Sequence, residues 1–282
     1  MAYIDNQLCE FKAKIESAIV TDGVRGKESM IRSSKLINLI HDAVKYELIQ
    51  QGVSQDLIFP HLNDSKPELK LAGFYKPKDQ DICVIPSDIA KTQRPIDWGP
   101  YAYSGKTDEY GAEFTENTLA INVRSQMSSL AKNVDTLMER TYSEASNLHM
   151  QYPKIVLGEV YLIPVYEYDD EAVKINQVQF KKRATNVAYY ISAFSQINGR
   201  LNSEITDYRK FCSYEKCALL VVDFSREVPK LYRNSAELKI DNVIPADFPI
   251  EYADLAFDSF AQGILNIYAS RFNINKILAT PV

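Results

Sequence analysis

Leu8, Phe11, Ile15 and Ile19 recur three or four residues apart, which predicts a helix over residues 7–22 that Thr21-Asp22-Gly23 ends. A second stripe, Ile31, Leu36, Ile37, Ile40, Val44 and Leu48, predicts a helix from about 28 to 51, with Gly52 placed to cap it. Residues 60–80, with Pro60, Pro67 and Pro77, read as a polar loop. The period then changes. Asp81-Ile82-Cys83-Val84-Ile85 reads as a short strand stopped by Pro86, and Leu119-Ala120-Ile121-Asn122-Val123 as another. Between them, the Gly- and Pro-bearing stretch 87–118 is a connection of a length that is usually functional or holds a small hairpin.

Residues 127–150 carry Leu130, Val134, Leu137, Met138 and Ala145 and predict a helix closed by Pro153. The run from Ile155 to Val165 is nearly all apolar, which predicts a central strand buried on both faces. Helix is expected over 184–198, a buried strand from Cys217 to Phe224, and helix over 251–270. The alternation predicts an α/β fold with at least four core strands. There is no internal repeat or domain break, so residues 1–282 read as one domain, with 169–183 as a surface excursion.

Composition narrows the function classes. The chain has 282 residues, 46% of them hydrophobic, which suits one large domain. The net charge of −5 lacks the basic signature of many nucleic-acid binders, although a cleft has its own local field. Tyr is plentiful, with 18 residues against one Trp, and Trp98, Tyr101 and Tyr103 either face a partner or pack the long connection onto the core. Cys9, Cys83, Cys212 and Cys217 form no Cys-x-x-Cys pair and have no nearby His to complete a zinc site; they are expected to be reduced. The N-terminus lacks the features of a signal peptide and the apolar runs are too short to cross a bilayer, so a cytoplasmic, membrane-free protein is expected.

No Gly-rich phosphate loop and no Gly-x-Ser-x-Gly is present, and His41, His61 and His149 are scattered. What remains is a pair of strands. Asp81 opens one, and Asn122-Val123-Arg124 ends the next. An acid beside an acid-x-Lys on adjacent strands is a frequent metal site of nucleases. Alternation sets the first and third residues of that triplet on one face. The carboxylates bind Mg²⁺ and the lysine handles the attacking water. Here Asn122 stands at the acid position and Arg124 at the lysine position. Asn offers an oxygen without charge, and the pKa of Arg is too high for a base. Spacing alone also fits a plain strand start and strand end.

Longer segments carry a resemblance. Gly73-Phe74-Tyr75-Lys76-Pro77-Lys78-Asp79-Gln80-Asp81 resembles the Gly-aromatic-aromatic turn and basic loop that open the core of restriction endonucleases of the XhoI type, in the PD-(D/E)XK superfamily. Asn122-Val123-Arg124-Ser125-Gln126 is similar to that group's Glu-x-Lys-Ser-Gln. Asn133 and Glu139-Arg140-Thr141-Tyr142-Ser143-Glu144-Ala145 resemble its Asn-rich loop and Asn-Arg-x-x-Glu-Ala helix, and Lys154 to Ile163 the buried strand that follows. The resemblance spans about a third of the chain.

It implies a restriction-endonuclease-like core over about 71–165, a central mixed sheet flanked by helices, with N-terminal helices at 7–51 and further strands and helices at 166–282. It implies a Mg²⁺-dependent, sequence-specific endonuclease of double-stranded DNA from a restriction–modification system, acting as a homodimer. Asp81 and Asn122 would be metal ligands, joined by an extra acid from the second helix, Glu47 in preference to Asp42. Arg124 and Gln126 would complete the catalytic set. Lys76, Lys78, Ser125, Lys132, Asn133, Arg140 and the run Lys181-Lys182-Arg183 would contact DNA. Two alternatives stay open: a DNA-binding protein of the same fold that has lost catalysis, and an interaction protein unconnected with nucleic acid.

Overall fold

The computed structural model describes residues 2–279; Met1 and residues 280–282, the ends of the expected single unit, lie outside the described residues. The first apolar stripe runs further than its spacing implies. Helix α1 spans Tyr3–Arg32 and kinks at Asp22 and Gly23, where Gly23 takes a φ of 50°. Helix α2, Ser34–Gln50, follows after a break at Ser33, so the predicted start at 28 belongs to α1.

The first strand of the chain, β1, is short, Ile58–Phe59. The expected loop at 60–80 holds a hairpin, β2 (Leu69–Ala72) and β3 (Pro77–Gln80). Its proline-marked ends hid two short strands from a reading by periodicity. Strand β4 is Ile82–Val84. The long connection carries a second small hairpin, β5 (Arg94–Pro95) with β6 (Thr107–Asp108), and a short helix α3 (Ala112–Glu116). Then come β7 (Leu119–Ser125), α4 (Leu130–His149), β8 (Val156–Pro164), α5 (Asp170–Lys174), α6 (Val187–Ile197) and β9 (Lys216–Asp223). Strand β10 (Lys230–Leu231), α7 (Ser235–Ile240) and α8 (Phe260–Arg271) complete the chain. Helix α8 starts nine residues later than the apolar pattern suggests, because 253–259 form two 3₁₀ turns.

The protein is α/β. Six strands form a mixed sheet in the order β1-β4-β7-β8-β9-β10. Strands β7, β8 and β9 are parallel, and β1, β4 and β10 run antiparallel to their neighbours. Both faces are covered. Helices α1, α2 and α8 bury Phe11, Ile40, Ile264 and others against Ile82, Ile121, Val160 and Leu220. Helices α4 and α6 cover the other face, against Cys83, Ala120, Leu157 and Leu219. Every residue of β8 is buried, as its near-continuous apolar run predicts. Each fully buried Leu, Ile or Phe contributes roughly 1.5–3 kcal/mol. All four cysteines are free, and no described helix is long and apolar enough to cross a membrane.

Candidate active site

Strand register builds the site. Ile82 pairs with Ile121 across β4 and β7, which sets Asp81 opposite Asn122. Asn122 in turn pairs with Glu159 on β8, and Glu159 with Cys217 on β9. Alternation directs all four to the face covered by α4 and α6. Asp81 Oδ2 accepts a hydrogen bond from the Val123 amide at 2.9 Å, which locks the start of β4 to β7. Asn122 and Glu159 are buried, and Asn122 Oδ1 and Glu159 Oε2 have no hydrogen-bond partner among the described residues.

Arg124 lies two residues beyond Asn122 on the same face. Its Nη1 donates to Thr141 Oγ1 at 2.9 Å and lies 2.5 Å from Glu159 Oε1, while Nη2 meets Glu144 Oε2. Glu144 gathers two further cations: Lys78 Nζ at 2.6 Å and Arg140 Nε at 3.3 Å. Lys78 comes from β3, Thr141, Glu144 and Arg140 from the middle of α4. Three acids, Asp81, Glu144 and Glu159, therefore face three bases, Lys78, Arg124 and Arg140. Burial drives the electrostatics. It lowers the Lys78 pKa to about 8, helped by the like charge of Arg124 and opposed by Asp81 and Glu159. It raises Glu159 to about 7, against the pull of Arg124.

One side-chain amide holds the hairpin over this cluster. Asn147 Oδ1 accepts from the Tyr75 and Lys76 amides at 2.7 and 3.1 Å, and its Nδ2 donates to the Lys76 carbonyl at 3.0 Å. The chain passes so close to α4 here that a Cβ on Gly73 would lie 2.7 Å from the Asn147 carbonyl oxygen. The Gly-aromatic-aromatic turn is thus the seat of the segment that carries Lys78.

Several expected residues lie elsewhere. Glu47 is on the opposite face of the sheet, where burial and Asp258 raise its pKa and Arg233 lowers it; it does not join Asp81 and Asn122. A helical acid does enter the cluster, but it is Glu144 of α4. Asp42 instead pairs with Lys45. Gln126 is buried with its Oε1 between the Tyr161 and Tyr190 hydroxyls at 3.1 and 3.3 Å, so its amide oxygen is committed to the core. Ser125 falls on the other face of β7 by alternation. Lys132 and Asn133 are exposed on the first turn of α4, about 18 Å along the helix from Glu144 at 1.5 Å per residue. Lys181 is paired with Glu167 and Asp170, whereas Lys182 and Arg183 are exposed. Lys76 and Arg140 are exposed beside the site. Trp98 packs under Arg94 and donates to the Gly73 carbonyl, while Tyr103 is fully exposed.

Sequence reasoning gave Glu159 and Glu144 no role of their own. A signal for Glu159 was present: it is the single charged residue in the apolar run 155–165, and a charge retained in a buried strand marks a special position. For Glu144 the signal lay in the resemblance, since Glu144-Ala145 stands at the Glu-Ala of the family's Asn-Arg-x-x-Glu-Ala helix, although no site role was drawn from it.

Among the described residues no three His, Cys, Asp or Glu side chains come together in an arrangement that could hold a metal ion. The row across β4, β7 and β8 is two carboxylates and one amide oxygen, with two orphaned oxygens in it. That all-oxygen set suits a hard dication better than a soft one. No protein-family model matches this chain, and no match to it was found among curated proteins or solved structures.

Proposed function

We propose that this chain is a Mg²⁺-dependent endonuclease that hydrolyses phosphodiester bonds of double-stranded DNA, with a restriction-endonuclease-like core. One observation carries the reading: Asp81 at the start of β4, Asn122 on β7 and Glu159 on β8 stand in a row, with Arg124 on Glu159 and Lys78 joined to Arg124 through Glu144. Asp81, Asn122 and Glu159 would hold the ion. A bound Mg²⁺ would acidify a water and offset the charge that develops on the phosphate.

In this reading Glu159 supplies the second carboxylate that Asn122 lacks. Lys78 supplies the amine that Arg124 cannot. With a pKa near 8, its Nζ exchanges a proton with an attacking water close to neutral pH. Arg124 keeps a fixed charge, held by Glu159 and Glu144. Exposed Lys76 and Arg140 flank the entrance and would meet backbone phosphates. A two-fold homodimer would match a palindromic site.

The test is plasmid cleavage with Mg²⁺, with Asp81→Ala as control. A cut by the wild type alone supports the reading; no cut with any divalent ion overturns it.

A second reading has its own observation. Arg124 and Lys78 already neutralise Glu144 and Glu159 without any ion. That favours a DNA-binding protein of the same architecture without catalysis, which would give a salt-dependent gel shift and no cut.

A further inference from the structure

A cavity of about 330 Å³ opens beyond the C-terminal ends of β7 and β8, between the first turns of α4 and α6 and the segment 181–186. Crevices at this edge of parallel strands are favoured ligand sites in α/β sheets. The apolar side is Leu130, Val134 and the Tyr190 ring, and Tyr189 stands at the mouth, 43% exposed. The two tyrosine rings meet edge-on, 6.0 Å apart at 88°, and form an aromatic corner.

Its charge is uneven. Lys181, Arg183 and Glu167 line the cavity. Glu167 is already occupied: Oε1 accepts from the Leu130 amide at 2.9 Å, and Oε2 pairs with Lys181 at 2.9 Å. Arg183 has no ion-pair partner among the described residues, so the lining keeps one uncommitted cation. The N-terminal ends of α4 and α6 add positive potential on the same side. A flat aromatic face next to a free guanidinium suits a ligand with a planar ring and an anionic group.

We infer that this cavity binds a single nucleotide, with the base against Tyr189 and the phosphate on Arg183. The choice of a nucleotide over another aromatic anion rests on the DNA reading of the chain. The cavity floor touches the residue that follows β7, since the Tyr190 hydroxyl meets Gln126 Oε1 at 3.3 Å. Gln126 is four residues beyond Asn122, roughly 13 Å at 3.3 Å per residue. That places the cavity within reach of a DNA strand lying across Asp81, about four nucleotides away at roughly 3.4 Å of rise per nucleotide. A base swung out of the duplex would fit there.

The experiment is calorimetric titration of the full chain with each of the four 5′-deoxymononucleotides, without metal, and with inorganic phosphate as comparison. Saturable nucleotide binding is expected, at least tenfold tighter than phosphate. Arg183→Ala should weaken it about tenfold. Ala131→Phe, which fills the cavity from an exposed position on α4, should abolish it with an unchanged melting temperature. Asp81→Ala should bind as the wild type does. Absence of saturable binding, phosphate binding as tight as nucleotide, or binding indifferent to both cavity variants would overturn the inference. Nucleotide binding without DNA cleavage leaves the cavity standing and removes the nuclease; cleavage without nucleotide binding does the reverse.

Discussion

Asn122 and Glu159 stand opposite one another on the parallel strands β7 and β8, and each keeps a buried side-chain oxygen without a hydrogen-bond partner among the described residues. An orphaned buried acceptor costs on the order of 1–3 kcal/mol, so two side by side are an expensive arrangement for a core to keep. A cation between them and Asp81 would relieve it. Asn122→Asp adds a charge to the same row. It should raise Mg²⁺ affinity at least tenfold, read as a larger Mg²⁺-dependent rise in melting temperature, and should lower stability without metal. A variant with the same Mg²⁺ response as the wild type would remove the cation from the account.

Lys78 gives the proposed reaction a pH signature. Its folded pKa is about 8, so the neutral amine that accepts a proton is scarce at pH 6 and abundant at pH 9. The cleavage rate should climb with pH, reach half its maximum near 8 and level off above that. Lys78→Arg keeps the charge but cannot lose the proton, and should cut the rate by about 10²-fold or more and abolish the bend. A profile that keeps its bend in the variant excludes Lys78 as the titrating group.

Glu215 is fully buried like Glu159, yet it shifts the other way. Burial raises its pKa, but His149, Arg271 and Arg200 outweigh that and hold it at about 2. His149 Nε2 lies 3.2 Å away, Arg200 Nη1 2.9 Å, Arg271 Nη1 2.7 Å and the Leu157 amide 2.8 Å. Its folded pKa is depressed below 4.5. Its contribution is therefore complete above about pH 4.5 and is lost as the pH falls toward 2, roughly 3 kcal/mol in all. Glu215→Gln leaves two arginines buried without their anion and should cost about 3–5 kcal/mol in urea unfolding at pH 7. It should also flatten the stability profile between pH 4.5 and 2. A profile unchanged by the substitution contradicts the assignment.

The Gly73 seat is testable without any assumption about DNA. Gly73→Ala forces a methyl against Asn147, and the hairpin must lift. A loss of about 1–3 kcal/mol is expected, together with faster hydrogen exchange at the Tyr75 and Lys76 amides, which Asn147 protects. Asn147→Ala should release the same two amides. Protection that survives both changes would show that Asn147 does not hold this segment.

Glu47→Gln serves as a control within the sheet. Glu47 lies across the sheet from Asp81, so the substitution should leave cleavage and Mg²⁺ response within twofold of the wild type. A tenfold loss would place Glu47 back in the site.

The chain itself determined which segments pack and on which side. The stripe Leu8, Phe11, Ile15 and Ile19 and the apolar run 155–165 announce a helix and a doubly covered strand, because burial selects side chains at the period of the backbone. Alternation alone also put Asn122 and Arg124 on one face. Period carries no information about partners across the sheet. Register brought Glu159 beside Asn122, helix packing lowered Glu144 onto Arg124 and Lys78, and α2 carried Glu47 to the far face. Those outcomes depend on contacts between residues distant in sequence, and only the folded sheet decides which charges meet in a space too dry to screen them.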